Sequence, residues 1–475
     1  MNDITFDGTT GSSYNKWRKL KDKWATWTIS LGGVSVLAAI LLIFFYLFYE
    51  IMPMFQSATL KYETSYSQPG DNGAVGLHLA VEEQEEIGFR LDSSAKAHFF
   101  RLETGEAIQS RVLPLADVAA FSIDNEENRA FVVADSNGKV VMAKHQYKVS
   151  YPNDVKTVTP SIEYLFADQD ISFSGAPVSV AMRDTEESVM VIASVDGRLE
   201  AHRFDKEEDF LSEEIVLEAV DVELPELDIK AARLMLAPRL DWLYAVAANG
   251  DFRLIDLRRS EVVDAGSLFE KEQSIASLRF LLGGISVMVG GSAGEMSQWF
   301  VVTDENGARL QRVRDFEAGN EAIELVATEH RRKGFVTISE DNELRIFHST
   351  AHRRVLDKSL DDIGKVRAIA ISPRAKRLIT ETEDAKIHIW KLHNEHPEVS
   401  WSALWEKVWY ESYDEPEYTW QSSAANNDFE PKYSLAPLAF GTLKAAFYAM
   451  IVAAPLAICG AIYTAYFMAP SLRRK

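Results

Sequence analysis

Two long runs without a charged residue, one near each end of the chain, constrain its fold more than any other feature. The first run is Trp27–Tyr49 and the second is Ala445–Met468, which hold 23 and 24 residues. At a rise of about 1.5 Å per residue, a helix of either length spans the roughly 30 Å hydrocarbon core of a bilayer. We therefore predict two transmembrane helices with a large domain between them.

The charges that flank the two runs predict the orientation of the chain. The first run is preceded by Lys16, Arg18, Lys19, Lys21 and Lys23, and the second is followed by Arg473, Arg474 and Lys475. By the positive-inside rule, both termini are expected in the cytoplasm and the middle in the periplasm, on the outer side of an inner membrane. A secretory signal peptide is the rival interpretation of the first run. Its apolar part, however, exceeds the ~7–15 residues of such signals and ends in bulky aromatic residues.

The residues between the two runs are strongly acidic. The 475 residues carry a net charge of −21, and because both ends are basic, residues 27–432 carry −27. Such a domain stays soluble and repels the phosphates of nucleic acids, so a nucleic-acid partner is not predicted. Cys459, the single cysteine, lies in the second run, so the domain has to fold without a disulfide.

A hairpin pattern recurs through the acidic middle at intervals of 43 to 59 residues. In each copy two β-like runs flank a turn residue, and these turn residues are Ala95, Gly138, Gly197, Gly250, Gly294, Asn342 and Ala385. Partner strands are predicted between the hairpins, at Val118–Ile123, Val178–Met182, Ala232–Leu236, Ile275–Phe280, Ile323–Ala327 and Val366–Ile371. Hairpins repeated every 40–50 residues or so are typical of β-propeller blades. We predict an all-β propeller of about seven blades, with an eight-bladed ring or two sandwiches as alternatives.

The layout of these repeats resembles that of the tryptophan–aspartate repeat family. Part of the family's closing Trp-Asp pair is present as Trp390-Lys391, and Phe347-His348 and Leu257-Arg258 stand at the equivalent places. The family's Gly-His pair is missing. The resemblance implies the ring architecture.

The chain after the last repeat begins with an apolar stripe. Trp401, Leu404, Trp405, Val408 and Trp409 are spaced as one face of an amphipathic helix, which lies either at the membrane interface or under the propeller. The predicted segments are a basic cytoplasmic leader (1–26), a first transmembrane helix (27–52), a periplasmic propeller (56–400), a connector (401–434), a second transmembrane helix (435–470) and a basic cytoplasmic tail (471–475).

No catalytic, cofactor-binding or metal-binding residue is predicted, and the chain is not expected to be an enzyme. His393 and His396 lack a third metal ligand at a suitable spacing, and the acidic turn Asp135–Gly138 lacks the alternating ligands of a calcium loop. The glycine-rich stretch Gly290–Gly294 lacks the Lys-Ser/Thr of a phosphate loop. The repeats also show no ring of His, Arg or carboxylate groups that would converge on the axis of a propeller enzyme.

The second apolar region carries a pattern of proline, small and apolar residues at Pro437–Leu443, Ala449, Ala453, Pro455-Leu456 and Ala461–Tyr463. In this pattern it resembles the first core helix of type I ABC-importer permeases, and most of all the membrane subunits of the phosphate-specific transporter. Gly441, Ala445, Ala449, Ala453 and Gly460 are small residues of the kind that allow close helix packing in lipid. The connector stretches 413–423 and 428–432 also resemble the long-form members, in which a large extracytoplasmic domain follows the first helix.

This resemblance implies a membrane subunit of an importer for inorganic phosphate. Its implied partners are a second permease subunit, an ABC ATPase and a periplasmic phosphate-binding protein, with the propeller as a docking or regulatory module. The further helices and the coupling loop of a permease are not found before Lys475. We therefore expect the N-terminal portion of a longer, split or truncated permease, which is not transport-competent by itself. A membrane-anchored propeller scaffold for envelope proteins is the alternative.

Overall fold

A computed structural model describes residues 10–70, 73–125, 128–166, 169–208, 215–305, 307–423 and 430–467 of the chain. These residues form two compact units that divide after Gln56. Residues 1–9 of the predicted leader and the predicted tail, residues 471–475, lie outside the described residues.

The first unit is a single long helix. Helix α1 (Thr10–Ile51) has 42 residues and runs into a 3-10 turn, Met52–Phe55, where Pro53 cannot continue the helical hydrogen bonding. The helix is continuous, so the basic residues after Thr10 and the predicted first span belong to the same element. Residues 20–54 are long and apolar enough to cross a membrane.

The second unit consists mainly of strands. From Ser57 onward, the described residues form seven four-stranded antiparallel sheets, which are the blades of a propeller. Strand β1 (Thr59–Ser67) comes first in the chain. The bounds of the other blade strands are β2 (Gly76–Val81), β3 (Ile87–Asp92), β4 (Lys96–Arg101) and β5 (Ala107–Val112) in blade 1; β6 (Ala120–Ile123), β7 (Ala130–Ala134), β8 (Val140–Ser150) and β9 (Thr157–Leu165) in blade 2; β10 (Ser179–Asp184), β11 (Ser188–Val195), β12 (Arg198–Glu208) and β13 (Ile215–Val220) in blade 3; β14 (Ala231–Leu236), β15 (Trp242–Ala247), β16 (Asp251–Asp256) and β17 (Glu261–Ser267) in blade 4; β18 (Ile275–Phe280), β19 (Val287–Gly291), β20 (Glu295–Asp304) and β21 (Gly307–Glu317) in blade 5; β22 (Ile323–Thr328), β23 (Gly334–Ser339), β24 (Glu343–His348) and β25 (Arg353–Ser359) in blade 6; and β26 (Val366–Ile371), β27 (Arg377–Thr382) and β28 (Lys386–His393) in blade 7. Short 3-10 turns lie at Pro152–Asp154 and Asp361–Ile363.

The seven predicted turn residues all lie between the second and third strands of their blades. Each has a positive φ, from 57° at Ala95 to 86° at Gly138 and Gly250. At Gly138 a Cβ would stand 2.4 Å from the Phe173 carbonyl oxygen, so this turn requires glycine for space as well as for conformation. The predicted partner strands are the first strands of blades 2 to 7, with bounds within two residues of those expected. The prediction of seven blades is confirmed, and the eight-bladed ring and the two sandwiches are not found.

The apolar core of the propeller is divided among the blade junctions. Within the described residues, buried apolar side chains form one separate cluster between each pair of neighbouring blades. In the cluster between blades 5 and 6, Phe335 stacks on Phe347 and meets Phe316 edge to face, with ring centroids 5.1 Å apart in both pairs. Each blade therefore depends on both neighbours to cover its two faces.

The ring closes by pairing strands from opposite ends of the domain. Strand β1 runs antiparallel to β28, with Thr59 opposite His393 and Ser67 opposite Lys386. The outer strand of blade 7 thus comes from the start of the propeller, a contribution that the repeat pattern did not predict. Because Thr59 lies opposite His393, the chain enters and leaves the ring at one face. We call this the terminal face, and the opposite side, which carries the seven turns between the second and third strands, the hairpin face.

A buried charge network crosses the junction between blades 1 and 7. Arg90 donates from Nε to Oε2 of Glu381 at 2.7 Å and from Nη2 to Oε1 at 2.9 Å, and its Nη1 lies 3.3 Å from Oδ2 of Asp92. Glu381 also accepts the Gly76 amide at 2.9 Å, and Asp92 bonds His98 Nε2 at 2.9 Å. Arg90, Asp92 and Glu381 are buried. Each of these buried charged groups is thereby paired or hydrogen-bonded at the junction of the first and last blades.

The connector and the second long helix follow blade 7. They contain α2 (Trp401–Trp405), the two-residue strands β29 (Trp420–Gln421) and β30 (Lys432–Tyr433), and α3 (Ala436–Tyr466). The helix predicted over Trp401–Trp409 ends at Trp405, because Glu406 adopts an extended conformation and Val408 pairs with Glu417. Helix α3 has 31 residues, and its length and apolar composition suffice to cross a membrane.

Removing the Arg90 side chain should destabilise the propeller. In Arg90→Ala the carboxylates of Glu381 and Asp92 stay buried without their cation, which costs about 3–5 kcal/mol of unfolding free energy. Urea denaturation of the full chain in detergent, followed by circular dichroism, measures this loss. The matched control is Arg101→Ala in the same blade, whose ion pair with Glu106 is exposed and should leave stability unchanged. Equal effects from the two variants would contradict the importance of the network.

Candidate functional site

The first strands of the blades surround a central channel. These inner strands, from β2 in blade 1 to β26 in blade 7, line a cavity of about 590 Å³. Since all blades share the same antiparallel order, each inner strand begins at the hairpin face and ends at the terminal face. The channel therefore extends from the hairpin face towards the terminal face.

Charged side chains line this channel at both ends. Arg233 and Arg367 lie near the beginnings of their inner strands, at the hairpin face, whereas Arg183 and Arg279 lie near the strand ends, at the terminal face. None of these four arginines was among the candidate residues in the sequence. A signal was present, since three of the four lie inside partner strands that the repeat pattern predicted.

Arg183 makes contacts with both neighbouring blades. Its Nη1 lies 2.8 Å from Oδ1 of Asp124 in blade 2, and its Nη2 donates to the carbonyl oxygen of Leu236 in blade 4 at 2.8 Å. Burial lowers the pKa of Arg183 and raises the pKa of Asp124, and the attraction between the two charges opposes both shifts. Arg183, itself in blade 3, therefore connects three consecutive blades at the channel wall.

The connector is fastened to the terminal face by a second buried charge network. Lys333 Nζ lies 2.5 Å from Oε2 of Glu411 and donates to the carbonyl oxygen of Leu282 at 2.6 Å, while Ser286 Oγ donates to Oε1 of Glu411 at 2.6 Å. Lys333 belongs to blade 6, and Leu282 and Ser286 belong to blade 5. We call this group, together with Gln298 and Arg314, the connector clamp.

Gln298 and Arg314 extend the connector clamp into the blades. Gln298 donates to Ser286 Oγ at 2.8 Å, and its Oε1 accepts from Arg314 Nη1 at 2.8 Å. Arg314 also donates to the carbonyl oxygen of Trp409 in the connector. Burial raises the pKa of Glu411 and lowers the pKa of Arg314, while the opposite charges nearby partly offset both shifts. The connector is thus held by ionic and polar contacts shielded from water.

The attachment continues to the first residue before α3. The Thr350 hydroxyl donates to Glu430, whose other carboxylate oxygen accepts the Glu411 amide at 3.2 Å. The Leu435 amide then donates to the carbonyl oxygen of Leu404 in α2 at 2.8 Å. Because Leu435 is bonded to α2, whose cap Ser400 is bonded to Ala351 of blade 6, α3 starts from a fixed position on the terminal face.

The histidines considered as metal ligands do not converge. His393 Nδ1 lies 3.9 Å from Glu395, and His396 Nδ1 lies 3.5 Å from a different carboxylate, Glu398. Among the described residues, no group of three or more His, Cys, Asp or Glu side chains is placed to hold a metal ion.

The two loop motifs considered in the sequence lie in blade turns. Asp135 Oδ1 accepts the amides of Asn137 and Lys139, each at 2.9 Å, which closes the turn before β8. Gly290 and Gly291 belong to β19, and Gly294 takes the positive-φ position of the turn into β20. Their sequence patterns are therefore explained by hairpin geometry.

The similarity of this chain to known proteins lies in its propeller. No protein-family model and no curated protein matches the chain. Among solved structures, the β-propeller domain of Myceliophteria thermophila Cps50 (Swd1) is similar, with 12% sequence identity and a TM-score of 0.48 over 70% of this chain and 99% of that chain. The count of seven blades follows from the strand pairing of this chain itself.

Loss of the Lys333 side chain should release the connector. Lys333→Ala leaves Glu411 buried without its cation, which weakens local stability by about 3–5 kcal/mol. Cleavage by chymotrypsin at the aromatic residues 409–413 should then be at least tenfold faster, since cleavage of an opened segment follows its equilibrium population. Lys407→Ala, which removes an exposed connector lysine, is the control and should leave the rate unchanged. An unaltered rate in Lys333→Ala would contradict the role of the connector clamp.

Stability should also depend on the protonation of His348, which lies at the end of β24. Its Nδ1 accepts the Ala351 amide at 3.2 Å, and burial lowers its pKa to about 3. The folded state has the lower pKa, so below pH ~6.5 only the unfolded chain gains a proton, and stability falls as the pH falls. His348→Gln should reduce this fall between pH 6.5 and 5 by about 1.4 kcal/mol per pH unit. Denaturation curves at several pH values measure the slope, and His393→Gln, an exposed site, should not change it.

Proposed function

We propose that this chain is a membrane subunit of an ABC importer of the phosphate-transporter type, in which the propeller is a docking module outside the membrane. The observation that carries the proposal is the pairing of Thr59 with His393. The residues that follow one apolar helix and those that precede the other join the propeller at the same face. Two membrane spans connected in this way leave the hairpin face free for a partner.

The connector clamp supports a role in coupling. Binding of a partner to a domain on a flexible tether would have little influence on a membrane span. Here Lys333, Glu411 and the bond from Leu435 to Leu404 hold the base of α3 against blades 5 and 6. A partner that changes the packing of these blades would therefore act directly on α3.

The composition of α3 supports packing among further membrane helices. Its small residues recur every fourth position, at Gly441, Ala445, Ala449, Ala453, Ala457 and Ala461, and all are exposed. A Cβ built on Gly441 would meet nothing within 4 Å. Pro455 also leaves one carbonyl of the preceding turn without its helical donor. Rows of small residues like this one let helices approach closely in lipid.

The resemblance to phosphate permeases supplies the remaining parts of the proposal. A second permease subunit, an ABC ATPase and a periplasmic phosphate-binding protein complete the transporter. The chain lies in the inner membrane with both termini in the cytoplasm, as the flanking cations favour. The chain does not transport by itself, and the ATPase supplies the energy.

A propeller scaffold for envelope proteins is the second candidate. It is favoured by the contacts of Arg183, which join blades 2, 3 and 4 and stiffen the ring. A rigid ring is useful as a platform whether or not the protein takes part in transport. This candidate needs only the anchoring function of the two apolar helices.

Photo-crosslinking from α3 tests the importer proposal. A benzophenone amino acid in place of Ala449, on the small-residue row, should capture a multi-span permease polypeptide, and an ABC ATPase should copurify with the product. Ile451 lies about 200° further around the helix, so the same probe there is the control and should capture far less. Phosphate uptake should fall at least tenfold in Ala449→Phe and be unchanged in Ile451→Phe. Capture of lipid or of a second copy of this chain, without an ATPase, would overturn the importer and leave the scaffold.

A further inference from the structure

Four large aromatic side chains of the connector are exposed on the terminal face. Trp401 is 76% exposed and Trp405 is 40% exposed, while Tyr418 and Trp420 are 45% and 43% exposed. We call these four residues the aromatic patch. Exposed rings of this size on one short segment indicate a surface that meets something other than water.

The tryptophans of α2 are held outward by the way the helix is anchored. Ser400 caps α2 by accepting the Ala403 amide at 3.0 Å, and its hydroxyl donates to the Ala351 carbonyl oxygen at 2.7 Å. Ala403 is buried against the propeller. The rings of Trp401 and Trp405 lie 6.1 Å apart. Since one side of α2 is fixed to blade 6, its two tryptophans stay on the other side.

Trp409, at the end of the apolar stripe Trp401–Trp409, is packed and not exposed like Trp401 and Trp405 at its start. Its ring meets Phe300 edge to face with centroids 5.9 Å apart, and its Nε1 donates to the Tyr413 carbonyl oxygen at 2.8 Å. The predicted stripe is therefore divided between two environments. Val408 and Trp409 pack under the propeller, whereas Trp401 and Trp405 face outward.

The aromatic patch lies at the base of α3. Leu404, between the two tryptophans of α2, accepts the Leu435 amide at 2.8 Å, and Ala436 begins α3. In the pair formed by β29 and β30, Trp420 lies opposite Tyr433, with ring centroids 5.9 Å apart. The patch is thus continuous with the apolar surface of the second candidate span.

The length of α3 places this base at the level of the lipid headgroups. Its 31 residues extend about 46 Å at the standard helical rise, against roughly 30 Å for the hydrocarbon core and 40–45 Å for the whole bilayer. A centred α3 therefore has both ends in the headgroup layers. Lys444, the one charged residue in the described part of α3, can extend its flexible stem to the same layer.

We propose that the aromatic patch inserts into the headgroup layer of the bilayer and seats the terminal face of the propeller on the membrane. The inference rests on the proposed function, because it requires α3 to span the membrane. Trp and Tyr rings are enriched at this layer, where an apolar ring and a polar NH or OH group are both satisfied. Lipid is the occupant because the patch continues the surface of a span. Contact through the patch, together with α3, fixes the tilt of the propeller and directs the hairpin face away from the membrane.

Site-specific fluorescence in lipid nanodiscs tests the proposal on the full chain. In a Cys459→Ser background, single cysteines replace Trp401 or Trp405 and are labelled with an environment-sensitive nitrobenzoxadiazole dye. Headgroup-spin-labelled phosphatidylcholine then quenches any dye that lies in the headgroup layer. The matched control is Val112→Cys, since Val112 is also apolar, is 65% exposed, and lies at the hairpin face beside the Ala95 turn.

The two patch positions should be quenched at least threefold more strongly than position 112, and their emission should shift to the blue when detergent is replaced by nanodiscs. Quenching at 401 and 405 no greater than at 112 would overturn the proposal. A dye at Ala449→Cys, quenched by acyl-chain spin labels, reports separately that α3 spans the membrane. Failure at 449 would overturn the span and this proposal together, whereas failure at 401 and 405 alone overturns only the docking of the patch. Chymotrypsin resistance of each labelled variant confirms that the connector clamp is intact.

Discussion

The pairing of β1 with β28 is the constraint on which the rest of the structure depends. These strands lie more than 300 positions apart in the chain, so their contact is formed only after the last repeat exists. Once formed, it supplies blade 7 with its fourth strand and places Thr59 and His393 side by side. The connector, the start of α3 and one end of the channel consequently share the terminal face.

Two buried ion pairs stand where distant segments meet this ring. Arg90 and Glu381 join the first and last blades, and Lys333 and Glu411 join the connector to blade 6. Apolar contacts tolerate small shifts, whereas a buried charge is stable only opposite its partner. The two pairs therefore favour one arrangement of the first blade against the last and one position for the connector, while the clusters between blades supply most of the burial.

The predictable parts of this fold were those set by local chemistry. The turns at Gly138, Asn342 and their equivalents need a positive φ, a requirement that their residue types and flanking β-like runs reveal in the sequence. The role of β1 was missed because its partner is not local and its alternation of residues suits any outer strand. The channel arginines were missed because their place beside the cavity depends on how the blades are arranged around the axis. At Trp401–Trp409, helical spacing predicted one amphipathic helix, but packing against Phe300 and the bridge from Val408 to Glu417 divided the stripe.

The way the ring closes also determines how it would yield to mechanical load. Since Thr59 and His393 stand together at the terminal face, tension on the chain before Thr59 falls first on the ladder between β1 and β28. Tension through α3 reaches blades 5 and 6 first, because the connector clamp lies between α3 and β28. The two ends of the domain therefore carry load differently. On the N-terminal side the load falls on one strand pair, whereas the C-terminal side transmits force to the body of the ring.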